Sequence, residues 1–98
     1  MHVGYSAAAA SFAPLWAAYE FGIFEQNGLR ASEPLYVDGG PANIQAIVAH
    51  ELDASYMAFP PVVSAITGGA PIKAVVGFGR GFTHQLFAKP SSGVTRAA

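Results

Sequence analysis

A chain of 98 residues and 10.1 kDa holds one hydrophobic core, since a compact protein of that mass buries roughly two thirds of the surface its unfolded chain exposes. With 52% hydrophobic and only 11% charged residues it is not intrinsically disordered, and a net charge of -1 supplies no basic field for nucleic acid. The absence of cysteine excludes disulfides, thiolate metal sites and a cysteine nucleophile, and no uncharged stretch is apolar for the ~20 residues that a membrane span needs.

In chain order, short β-type runs alternate with helix-type runs, which is the pattern of an α/β fold with a mainly parallel sheet. His2 to Tyr5 is the first expected strand, and a small-residue loop, Ser6 to Ala13, follows it. Pro14 suits a first helical turn, and Leu15, Ala18, Tyr19, Gly22 and Ile23 recur at helical steps until Asn27 and Gly28 end the helix. Leu29 to Val37 reads as a second strand, and Pro34 within it points to a sheet edge because proline cannot donate to a ladder. Gly39, Gly40 and Pro41 open a second helix with the stripe Ile44, Ile47 and Val48. Ala54 to Met57 is a third short strand. Pro60 and Pro61 start a third helix, carrying Val62, Val63 and Ile66, and Gly68 and Gly69 stop it. Ile72 to Phe78 is apolar enough for a strand covered on both faces, and His84 to Lys89 is a further β-type run. Residues 90–98 form a polar, small and unpatterned tail.

Three loops follow three expected strands at their C-terminal ends: Ser6 to Ala13, Asp38 to Gly40, and Ala58 to Pro60. In an open parallel sheet that edge is where ligands bind, because loops and helix N-termini converge there with unpaired N–H groups. Gly39 and Gly40 either let a ligand approach the backbone or simply make a tight turn. Asp38 either caps the next helix or faces the ligand. Tyr5, Trp16, Tyr36, Tyr56 and Phe59 lie near strand ends or in the first helix, where aromatic side chains serve the core or line a half-apolar pocket. Gly77, Gly79 and Gly81 mimic a nucleotide loop, but no helical stripe and no acidic residue follow at the required distance, so they read as a connection. Arg80 between them has a planar fork suited to a carboxylate or sulfonate. His2, His50 and His84 share no metal-ligand spacing, and no G-x-S-x-G elbow is present. The residues thus call for no cofactor and no metal.

Val3-Gly4-Tyr5, Pro14-Leu15-Trp16 and Glu20-Phe21-Gly22-Ile23-Phe24-Glu25 running to Gly28-Leu29 resemble the opening of ABC-transporter substrate-binding proteins of the nitrate, sulfonate and taurine group, also called NMT1/THI5-like. Gly39-Gly40-Pro41, Gln45 to Ala49 with Glu51 to Ala54, and Gly69 to Lys73 recur in the same order, so the resemblance spans nearly the whole chain. It implies a type II periplasmic-binding-protein fold, with residues 1–89 as a partial N-terminal lobe and 90–98 leading toward a second lobe. The low charge agrees, because a piece of a larger protein keeps apolar faces for partner segments to cover. The expected sheet order is 2-1-3. The implied function is delivery of a small organic anion or heteroaromatic compound, such as a sulfonate, nitrate or a thiamin-pyrimidine-like molecule, to an ABC permease. The ligand would meet Ser6, Ser11, Trp16, Asp38, Gly39, Gly40, Tyr56, Met57, Phe59 and Arg80. A periplasmic, or exported and membrane-anchored, location follows from the resemblance alone.

Two rival classes share these features. One is an enzyme on the same fold, such as a pyrimidine synthase or a desulfinase, and the other is a ligand-sensing module of a signalling protein. The relatives that do chemistry carry cysteine motifs, and this chain has none.

Overall fold

The structure, a computed structural model, describes residues 1–79, 89, 91 and 93. Three parallel strands, β1 (Val3–Tyr5), β2 (Leu35–Tyr36) and β3 (Ala54–Tyr56), form a sheet in the order β2-β1-β3. The expected α/β class and the 2-1-3 order are therefore observed, with the first strand in the centre. Gly4 pairs with Leu35 and Ser55, and Tyr5 pairs with Tyr36 and Tyr56. Helices α1 (Ala13–Glu20), α2 (Ile23–Gln26) and α3 (Gly40–Val48) supply the connections, α4 (Phe59–Thr67) follows β3, and a 3-10 turn over Ala10–Phe12 leads into α1.

The buried apolar residues among those described are Val3, Phe12, Leu15, Ala46 and Leu52. Val3 lies in β1 and Leu15 in α1, whereas Ala46 and Leu52 belong to α3 and the turn after it. Asn43, on the same helix, is wholly buried.

Four expectations need correction. The first helix is two, because Gly22 takes a left-handed φ of 64° that ends α1 and serves as the cap of α2. The second strand is only Leu35–Tyr36. Before it, the Met1 amino group donates to the Arg30 carbonyl (2.7 Å) and Ser32 N–H donates to the Met1 carbonyl (3.0 Å), but Pro34 has no N–H to carry the ladder on. The buried face of α3 runs through Asn43 and Ala46, one residue off the expected Ile44–Ile47–Val48 stripe, and Val48 is 45% exposed. Finally, Ile72 to Phe78 forms no strand: Val75, Val76 and Phe78 are exposed, and none of the described residues supplies a ladder partner for the run. The His84 to Lys89 run and the 90–98 tail fall mostly outside the described residues.

At the far end of α3, His50 adopts φ 60°. That is the left-handed position normally given to glycine at a helix terminus. Nothing in the residue type announces it.

Candidate functional site

Parallel pairing brings the carboxyl ends of the three strands together, and backbone hydrogen bonds then lock their loops. Val37 N–H donates to the Tyr5 carbonyl (3.0 Å), Gly39 N–H to the Ser6 carbonyl (3.3 Å), and Ser6 N–H to the Tyr56 carbonyl (3.2 Å). The segments after β1, β2 and β3 thus form one continuous rim. Helices α1, α3 and α4 all start from it, each without a side-chain cap and each with proline in its first turn.

Registry also lines up the last residue of every strand. Tyr5, Tyr36 and Tyr56 occupy one row across the sheet, so their side chains leave the same face. Tyr5 is 5.5 Å from Tyr36 by ring centroids, 6.1 Å from Phe12, and 5.7 Å from Trp16, which meets it edge-on at 79°. Tyr56 lies 4.9 Å from Phe12 and 4.9 Å from Phe78, and its hydroxyl donates to the Ser11 carbonyl (3.0 Å). The result is an aromatic shelf along the rim. Offset and edge-to-face pairs of this kind add about 0.5–1.5 kcal/mol each beyond area burial.

Asp38 is exposed and is not a helix cap, contrary to one of the two roles its position allowed. Its carboxylate instead accepts the Tyr36 hydroxyl at 3.0 Å. That hydrogen bond, with lesser help from desolvation and the carboxylate's charge, raises the Tyr36 pKa above its ordinary value. The neutral phenol is the favoured form, so any stability this pair lends is present below the ordinary tyrosine pKa and is lost as pH rises through the raised one. Ultraviolet titration should find Tyr36 ionising above the ordinary tyrosine pKa, and Asp38→Asn should move it downward. A Tyr36 that ionises at the ordinary value would show the bond absent in solution.

Gly39 has φ 78° and ψ 153°, a conformation side chains rarely adopt, and it makes the sharp turn from β2 into α3. Gly40 is different. A methyl group there would overlap the Pro61 ring of α4, so its smallness serves helix–helix packing. Ser6, Trp16, Tyr56 and Met57 are half-buried on or beside the rim; Ser11 is exposed, and Phe59 is 67% exposed at the start of α4. Arg80 lies outside the described residues.

Asn43 is the residue the sequence reading missed. Its side-chain amide donates to the Val37 carbonyl (2.6 Å) and the Gly39 carbonyl (2.8 Å), while its oxygen accepts the Ser55 hydroxyl (2.6 Å). One buried side chain therefore holds the Val37–Gly39 loop against β3. Among the described residues no group of three or more His, Cys, Asp or Glu could hold a metal ion.

A central parallel strand with three connected loops at its carboxyl edge is the open α/β arrangement, in which that edge is the usual place for a ligand. The profile of the NMT1-like family matches residues 1–80, and the chain belongs to that family, whose members are of the substrate-binding, ABC-transporter type. Searches of curated proteins and of solved structures return no match.

Proposed function

We propose that this chain is the ligand-binding first lobe of a solute-binding component that hands a small molecule to an ABC permease. The observation that carries the reading is the rim itself: Ser6, Gly39 and Tyr56, at the carboxyl ends of three separate strands and the loops after them, are joined through direct backbone bonds, and Asp38 lies in the loop they fix. The family supports the coarse function. The row of Tyr5, Tyr36 and Tyr56 favours, among the solutes the resemblance implies, a heteroaromatic compound over nitrate, because flat π faces offer little to a small inorganic anion.

A second lobe fits the same reading. Val63, Ile66, Val75, Val76 and Phe78 leave apolar surface uncovered along α4 and the segment after it, as expected of residues 1–89 forming part of a larger binding protein. The proposed location is the periplasm or the outer face of a membrane. No helix among the described residues is long and apolar enough to cross one.

The test is a thermal-shift screen of the protein against sulfonates, nitrate and substituted pyrimidines, followed by mass spectrometry of whatever binds. A binding protein returns its ligand unchanged. A new product, lost in Asp38→Asn, would replace this reading with the enzyme.

A further inference from the structure

Resting on the solute-binding reading, we infer that the rim selects an organic cation, specifically an aromatic or alkyl ammonium group, and not an anion. The three loops and the strand ends that feed them, residues 5–13, 36–41 and 56–60, contain one formal charge at neutral pH, and it is negative: Asp38. It stands at the rim and accepts a hydrogen bond from Tyr36, a residue that is 54% exposed. A carboxylate at the hydroxyl end of an open tyrosine ring supplies two attractions for a cation, a Coulomb partner and a π face. Tyr5, 5.5 Å from Tyr36, and Trp16, 5.7 Å from Tyr5, extend that face.

The usual source of anion affinity at such an edge is weakened in the sequence. Helix N-termini attract anions through the free N–H groups of the first turn. Here Pro14, Pro41, Pro60 and Pro61 occupy first-turn positions of α1, α3 and α4, so four of those donors do not exist. The Ala13 N–H that opens α1 is already spent on the Ala10 carbonyl. Asp38, one residue before the Gly39 cap, offsets the positive end of α3 as well. Among the described residues of the rim, what remains is an aromatic shelf with a negative corner.

Three probes of similar size separate charge from shape: benzyltrimethylammonium, benzenesulfonate and benzyl alcohol. Each is titrated into the protein at matched ionic strength, with the ring resonances of Tyr36 and Trp16 followed by NMR. The cation should bind at least tenfold more tightly than the sulfonate. Asp38→Asn should cost it about tenfold, and Tyr36→Leu about fivefold. Tyr36→Phe, which keeps the ring and frees the carboxylate, should stay within about threefold of the parent. Equal binding of all three probes overturns the charge assignment and leaves a rim that reads only flatness. Tighter binding of the sulfonate, or an Asp38→Asn variant that binds the cation unchanged, also overturns it while a solute-binding role stands. Binding of no probe overturns the cation inference, and the solute screen then decides separately whether the rim binds anything.

Discussion

Asn43→Leu should lower the unfolding free energy by about 3 kcal/mol, a large fraction of what a domain of this size possesses. Leucine matches the shape of asparagine and cannot donate. The carbonyls of Val37 and Gly39 would lose the amide that reaches them at 2.6 and 2.8 Å, and the Ser55 hydroxyl would lose its acceptor. The Gly39 carbonyl keeps the backbone N–H of residue 43 (3.3 Å), but the Val37 carbonyl and the Ser55 hydroxyl are left unpaired at about 1–3 kcal/mol each, so the sum exceeds the loss from Ser55→Ala, which should be near 1 kcal/mol. Asn43→Asp makes a sharper test. One carboxylate oxygen still accepts from Ser55, but the other faces two carbonyl oxygens in place of donating to them. Protonation relieves that clash, so the folded-state pKa of the new carboxyl is raised and stability should fall as pH rises through it. Urea midpoints at pH 4 and pH 7 check both statements. An Asn43→Leu midpoint equal to the parent's would mean the amide does not order the loop. Because the same amide fixes the Val37–Gly39 loop that carries Asp38, ligand affinity should fall with stability in these variants.

The order of the sheet was legible because each expected strand was followed by a helix start, right-handed parallel connections leave few alternatives, and the family resemblance pointed to the same order. The rim was legible for the same reason, since strand ends and helix starts define it together. Tyr5 and Tyr36 stood out as aromatics but were not placed in the site. Their significance lies in registry: only when Tyr5 is known to pair with both Tyr36 and Tyr56 do three scattered tyrosines become one row. Asn43 was hidden by the opposite effect. A polar residue beside Ile44 and Ile47 looks like the solvent face of a helix, and the hydrophobic period then falls one position away from the true buried line through Ala46. The missing strand at Ile72 to Phe78 has another cause. Apolar sequence specifies that a segment be covered, while pairing and covering layers decide whether it becomes a strand.

Gly40→Ala should destabilise the protein by about 1–3 kcal/mol, and the reason lies in α4 and not in the ligand cleft. A β-carbon at position 40 would meet the Pro61 ring, with the β-carbon of Pro61 2.7 Å away and its γ-carbon nearer still. A proline ring cannot rotate aside as a flexible side chain would, so α3 and α4 must separate or tilt. Pro61→Gly removes the obstructing atoms and alone should cost about 1 kcal/mol through the loss of a residue pre-organised for the first turn of a helix. The double variant should therefore be less damaged than the two single losses predict, by about 1 kcal/mol or more, because the clash is absent when both changes are present. A denaturant-based double-mutant cycle reads that coupling directly. If position 40 instead served close approach of a solute, the stability changes would add, and Gly40→Ala would weaken binding with or without Pro61. Strict additivity in stability, with a binding defect that Pro61→Gly leaves untouched, would return Gly40 to the ligand site.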